Sequence, residues 1–176
     1  MVFIINGYPG SGKDTFVEMV RKNYKELNPT SQIVNISTID YLKDLFKEKF
    51  EWNGQKTPEV RMALAVIHGA LTHWNDIPFV LTSKKIKEEN DKGNIVFVHC
   101  REPENIFKYS CSFQAPAIFI NNLEVEYIVK HCPDQYSEAD KDVKNYDYNV
   151  IIDNNGTFDD LENNAKQFIY DYIIGY

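Results

Sequence analysis

Along this chain, short unbroken apolar runs alternate with longer stretches in which apolar residues recur every three or four positions. Unbroken runs bounded by turn residues fit strands buried on both faces, whereas the wider spacing fits helices with one buried stripe. The runs are Val2-Phe3-Ile4-Ile5, Ile33-Val34-Asn35-Ile36, Ile95-Val96-Phe97-Val98, Ala117-Ile118-Phe119-Ile120 and Tyr148 to Ile152. After the first run, Phe16, Val20, Tyr24 and Leu27 mark a helix that ends near Asn28-Pro29. Tyr41 to Phe50 reads as the next helix, with Ser37 to Asp40 supplying cap residues. Thr57-Pro58 then opens a helix whose predicted stripe is Val60, Leu64, Ile67, Leu71 and Trp74. Phe79 to Asn90 reads as a polar surface helix, and Glu104 to Tyr109 as a short one. Thr157 and Asp160 have the spacing of a capping box, and the closing helix is expected to bury Phe158, Leu161, Ala165, Phe168 and Tyr172.

About five strands alternating with helices imply an α/β domain, a parallel sheet covered on both sides. One domain is expected. Its core comprises 1–36, 93–120 and 147–176, interrupted by polar excursions over 37–92 and 121–146. The second excursion is acidic, periodic only at Val125 to Val129, and reads as a mobile lid.

Composition narrows the function. The 176 residues include 26 acidic and 19 basic ones, a net charge of −7. Nucleic acid is therefore not the expected main ligand, since such binding neutralises many phosphates with Lys and Arg. The short chain and acidic balance also argue against a helicase-type motor. The arginines are Arg21, Arg61 and Arg101 alone, and each is worth weighing because phosphate clamps favour the guanidinium fork. Arg21 reads as a solvated helix charge. Cys100, Cys111 and Cys132 are sparse and odd in number, which predicts no disulfide framework and fits a cytoplasmic setting. No signal peptide and no membrane-spanning run are apparent. His68 and His73, five residues apart, do not share a helix face, and His131-Cys132 is too few ligands for zinc.

The stretch Gly7-Tyr8-Pro9-Gly10-Ser11-Gly12-Lys13-Asp14-Thr15 carries the chemistry. It satisfies G-x-x-x-x-G-K between a strand and a helix, the context of a phosphate-binding loop. Glycines let backbone N–H groups converge on an anion, the helix N-terminus faces the same point, and Lys13 adds a full charge. Asp14 stands where such loops usually place a magnesium-ligating hydroxyl. In an open parallel sheet, ligands meet the carboxyl ends of strands, so Arg101 and Glu102, after the third strand, are further candidates.

With these residues in view, the chain resembles the nucleoside monophosphate kinases. GYPGSGKDT is similar to the loop of adenylate kinases, with Asp14 in place of glycine. Ile36 to Lys43 resembles their IST-G-D-x-x-R segment, with Ile39 for the glycine and Lys43 for the arginine. GKDT and the closing NNGTFDDL are closer still to phage-type deoxynucleoside monophosphate kinases, and animal phosphomevalonate kinases share GKD and the general plan. Around Arg101, FVHCREPENI keeps the family's arginine but has His99 at the aspartate position. Asn121-Asn122 stands where these kinases place a lid arginine.

The resemblance implies a three-layer αβα P-loop NTPase fold with monophosphate-binding and lid excursions. It implies transfer of the γ-phosphate of ATP, with Mg2+, to a nucleoside or deoxynucleoside monophosphate. Gly7, Gly10, Ser11, Gly12, Lys13, Asp14 and Thr15 would hold ATP, with Asn155 and Gly156 beside its base. Asp14 would hold magnesium directly or through water. Ser37, Thr38, Asp40, Lys43, Arg61 and Arg101 would bind the acceptor phosphate, with Lys13 and Arg101 catalytic. Lys130 or Lys141 would substitute for lid arginines as point charges. Two alternatives stand beside this one: a kinase of the same plan acting on a non-nucleotide phosphorylated metabolite, and a nucleotide-binding module with little turnover.

Overall fold

The computed structural model describes residues 1–55, 57–132, 136 and 138–175. Parts of the 121–146 excursion, at 133–135 and 137, lie outside them. Five strands form one sheet: β1 (Val2–Asn6), β2 (Ile33–Ser37), β3 (Ile95–His99), β4 (Ala117–Asn121) and β5 (Val150–Asp153). Their order is β2-β3-β1-β4-β5, and every pairing is parallel. Around the sheet run α1 (Lys13–Leu27), α2 (Asp40–Phe50), α3 (Pro58–Asn75), α4 (Ile77–Asp91), α5 (Pro103–Phe113), α6 (Leu123–His131), the short α7 (Glu138–Lys141) and α8 (Phe158–Phe168). Among the described residues no helix is long and apolar enough to cross a membrane.

The apolar runs become strands because alternate side chains find a separate layer on each face. Phe3, Ile5, Ile95, Phe97, Ile118 and Ile120 pack against Phe16, Val17 and Val20 of α1 and Leu161, Ala165 and Phe168 of α8. Val2, Ile4, Val96 and Val98 pack oppositely, with Ile86 of α4 and Ile106 and Tyr109 of α5. This is the architecture that a two-sided parallel sheet demands. The strands end on polar residues: Asn6, Ser37, His99, Asn121 and Asp153. The apolar interior therefore stops in one plane, and polar groups begin along the carboxyl edge.

Local signals behave as expected at several helix ends. Thr57 accepts from the Val60 backbone with Pro58 in the first turn, and Thr157 with Asp160 completes a reciprocal capping box. Two expected core positions are corrected. Trp74 and Phe158 are each 70% exposed. In α3 only Leu64 is buried, with Val60, Ile67 and Leu71 half-buried; the helix packs along one narrow line, and Trp74 in its last turn falls beside it. Phe158 occupies the first helical position of α8, ahead of Leu161, Ala165 and Phe168, which reach the sheet. The excursion after β4 also packs: Val129 of α6 and Val143 join Tyr8 and Phe119 in a third apolar cluster.

Phe168 is 1% exposed and meets the rings of Phe3, Phe16 and Phe97 at centroid distances of 5.1, 5.5 and 6.0 Å. Phe168→Ala should lower the unfolding free energy by ~3–5 kcal/mol in a urea titration. A loss below about 1 kcal/mol would remove this layer from the core.

Candidate functional site

The sharp bend between β1 and α1 depends on two glycines. Gly7 has φ 148°, and a Cβ there would lie 2.6 Å from Ser11 Oγ and 2.8 Å from the Ile120 carbonyl. Gly12 has φ 97°, and a Cβ there would lie 2.4 Å from Asn154 Nδ2. Both are left-handed conformations in close quarters, which only glycine fits. The Ser11 N–H donates to Tyr8 O at 3.0 Å, and the Phe16 N–H makes α1's first helical bond to Gly12 O at 2.9 Å. Gly12 provides no side-chain cap, so the first-turn N–H groups of α1 have no intrahelical acceptor. They form a fixed positive terminus directed at the bend.

Lys13 folds back over that bend. Its Nζ donates to Gly7 O at 2.6 Å and Tyr8 O at 2.8 Å. The ammonium is thus held by loop carbonyls and, among the described residues, pairs with no carboxylate. Burial first, then the Arg101 guanidinium, pushes its pKa down to about 8, against smaller opposing effects of Asp14 and Asp140. A cation short of compensating charge is suited to meet an anion.

Residues that sequence reasoning passed over hold this bend. Asn6, 1% exposed, accepts from the Gly7 N–H at 2.8 Å; its amide donates to Arg101 O at 3.1 Å and to the Tyr148 hydroxyl at 2.7 Å. The Tyr148 hydroxyl in turn donates to Val143 O at 2.5 Å. One buried amide therefore joins the loop, the β3–α5 junction and the 121–146 excursion. Tyr8, 3% exposed, adds an edge contact with Phe119. Asn154 Nδ2 donates to Ser11 O at 2.8 Å, so the β5–α8 turn touches the loop through Asn154. The neighbouring Asn155 instead accepts from the Leu123 N–H at 2.7 Å, and Gly156 sits close over Asp160. The available signal was a polar residue directly after an apolar strand.

Asp14 begins the second flank. Its side chain is 86% exposed, with Oδ1 3.7 Å from His99 Nε2 and 3.4 Å from Asn35 Nδ2. His99 Nε2 and Asn35 Oδ1 are buried atoms without a hydrogen-bond partner, an arrangement that asks for a missing group. Burial leads the fall in the His99 pKa to about 4; Asp14 opposes it, and Lys13 and Lys43 add to it. The imidazole is neutral at neutral pH. A carboxylate oxygen is a hard donor, so Asp14 fits the magnesium that the resemblance implies. Among the described residues no group of three His, Cys, Asp or Glu forms a self-sufficient metal cage.

The acceptor-side candidates gather across the sheet edge. Asp40 Oδ2 accepts from the Ser37 N–H, and Oδ1 pairs with Lys43, at 2.8 and 2.7 Å. Thr38 is buried, and its N–H reaches His99 O. Ser37, Asp40, Tyr41 and Thr82 line a cavity of 120 Å³ beside them. Tyr41 and His68 meet at 3.4 Å, so His68, read from sequence as an ordinary helix residue, faces α2. Burial lowers its pKa while Glu102 opposes the fall. Arg101 pairs with Asp140 at 2.8 Å. Arg61 lies exposed in the first turn of α3. Lys130 pairs with Glu126 at 2.6 Å. A larger concavity of 520 Å³, near Met1, Asn28 and Gly93, opens at the amino ends of the strands, away from the β1–α1 bend.

Two solved structures share this arrangement of elements. Shikimate kinase from Aquifex aeolicus vf5 matches with a TM-score of 0.53 at 13% identity, covering 100% of each chain. Shikimate kinase from Bacteroides thetaiotaomicron matches with a TM-score of 0.50 at 13% identity, covering 96% of each. The chain thus has the α/β fold of P-loop kinases. No protein-family model matches it, and no curated protein matches it in sequence.

The Lys13 proton predicts a pH dependence. Its pKa of about 8 lies below the ordinary lysine value, and a bound polyphosphate favours the charged form. Affinity is therefore full below that pH and lost as pH rises through it. By calorimetry, magnesium-free ADP should bind at least about tenfold more weakly at about pH 9.5 than at about pH 7.5. A flat profile would show that this ammonium does not meet the anion.

Proposed function

We propose that this protein is a phosphotransferase that moves the γ-phosphoryl group of ATP to a nucleoside or deoxynucleoside monophosphate. The observation that carries the reading is the phosphate-loop geometry: an uncapped α1 terminus, two obligatory glycines, and Lys13 folded over the bend without a carboxylate partner. Phosphoryl transfer needs alignment and neutralisation of spreading charge more than covalent help.

In this reading, Gly7, Gly10, Ser11, Gly12 and Thr15 cradle the donor's phosphates, and Lys13 leaves its loop carbonyls to follow the transferring group. Magnesium, held by Asp14 and the phosphates, would supply charge neutralisation. Ser37, Thr38, Asp40, Lys43, Arg61 and Arg101 orient the acceptor phosphate, with Asn155 and Gly156 beside the donor base. Arg101 exchanges Asp140 for phosphate oxygens. The 121–146 excursion excludes water, which would otherwise consume ATP.

A second reading, transfer to a non-nucleotide metabolite, draws support from the acceptor side. Lys43 and Arg101 already face carboxylates, which is a modest cation supply for a monophosphate clamp. Two kinases of the same fold are also named for a non-nucleotide, shikimate.

A coupled ADP-release assay over ribo- and deoxynucleoside monophosphates and small metabolites separates the two readings. Tight ATP binding with no product from any acceptor would instead mark a nucleotide-binding module. Lys13→Ala should abolish transfer without changing the thermal midpoint, and full activity in that variant would defeat the assignment. Arg101→Ala should cost at least about tenfold in kcat/KM, ~1.4 kcal/mol of transition-state binding. An unchanged rate would leave Arg101 only as the anchor of Asp140.

A further inference from the structure

His99 and Asn35 are the groups whose chemistry the proposed transfer does not use. Their strands place them side by side. In the β2–β3 register Ser37 lies opposite His99 and Asn35 opposite Phe97. Ile33, Ile95 and Phe97 face the α1 layer, and side chains two apart on a strand share a face. Asn35 and His99 therefore point to the layer that begins with Asp14.

There His99 Nε2 stops 3.7 Å from Asp14 Oδ1, beyond hydrogen-bond length, while the Asn35 amide nitrogen donates a long 3.4 Å bond to the same oxygen. His99 Nε2 is buried and unpartnered. The two ends of the Asn35 amide are interchangeable by a flip, so its oxygen can take the position nearer Asp14. Two ligand atoms bonded at about 2.1 Å to one ion lie about 3 to 4 Å apart. The observed separations fall in that interval.

We infer that Asp14, Asn35 and His99 form a mixed oxygen–nitrogen half-shell for a divalent transition ion, so that the site prefers such an ion to magnesium. The inference deepens the proposed function and rests on it for the remaining ligands, which are phosphate oxygens and water. Imidazole is the discriminating donor: it suits first-row transition ions, whereas magnesium favours an all-oxygen shell.

The test titrates Co2+ and Mg2+ onto the full chain, alone and with a non-hydrolysable ATP analogue. It follows cobalt absorption and the 1H–15N signals of the histidine side chains. Expected is a Co2+-over-Mg2+ preference at least about tenfold above that of the free analogue, with His99 the histidine whose signal is shifted. In His99→Gln, which keeps a polar side chain, the preference should fall to that of the free analogue. An unmoved His99 signal, or the same preference in the variant, overturns the inference. If His99→Gln fails to fold, Asp14→Asn, altered at an exposed carboxylate, must lose the His99 shift for the inference to stand. Failure of the analogue to bind would sink the nucleotide reading. The metal inference is then decided by Co2+ alone: a His99 shift that Asp14→Asn abolishes upholds it, and no shift overturns it.

Discussion

The unsatisfied N–H groups at the start of α1 set the terms for everything around them. A helix terminus left uncapped against a buried bend exposes positive dipole where an ordinary loop would hide it. Holding it there requires backbone to approach backbone, hence Gly7 over Ser11 and Ile120 and Gly12 against Asn154. In this structure the bend's carbonyls take the Lys13 ammonium, so the cation is held in place yet free to exchange its partners for stronger ones. Burial, and then the Arg101 guanidinium, depress the Lys13 pKa in that position.

Around this terminus, buried polar links give the bend its fixed shape. Asn6 ties the loop to Arg101 O and, through Tyr148, to Val143 O. Apolar contact repeats the connection, since Tyr8 packs with Phe119, Val129 and Val143. The Arg101–Asp140 pair adds a charged contact over the same path. Hydrogen bonds fix geometry, burial supplies cohesion, and the ion pair, with Arg101 half exposed, is the weakest tie. In the proposed transfer, the contact that breaks on arrival of phosphate is therefore the one that costs least.

Much of the architecture could be read without coordinates. Four-residue apolar runs such as Val2-Phe3-Ile4-Ile5 have no exposed face and need cover on both sides, and the two clusters on either side of the sheet supply it. Thr57-Pro58 and Thr157 with Asp160 marked helix starts because capping is a local, short-range bond. Trp74 and Phe158 misled because periodicity reports which side of a helix is apolar, not how far along the neighbouring layer extends. Their burial depends on where α3 and α8 overlap other elements, which is a tertiary quantity.

The site divides in the same way. The amino-acid order alone determined the glycine-rich bend, because its glycines, lysine and following helix act within nine consecutive residues, and it determined the polar carboxyl edge, because each strand carries its own terminal polar residue. Only the tertiary structure decided that Asn6, Asn154, Tyr148 and Asp140 serve that loop, that Lys43 and Arg101 are paired with carboxylates, and that Asn35 and His99 converge on Asp14. Those contacts join residues from 3 to 143 positions apart. Over most such spans a hydrogen bond or an orphaned donor leaves no periodicity in the chain, and it exists only once the sheet has set the strands side by side.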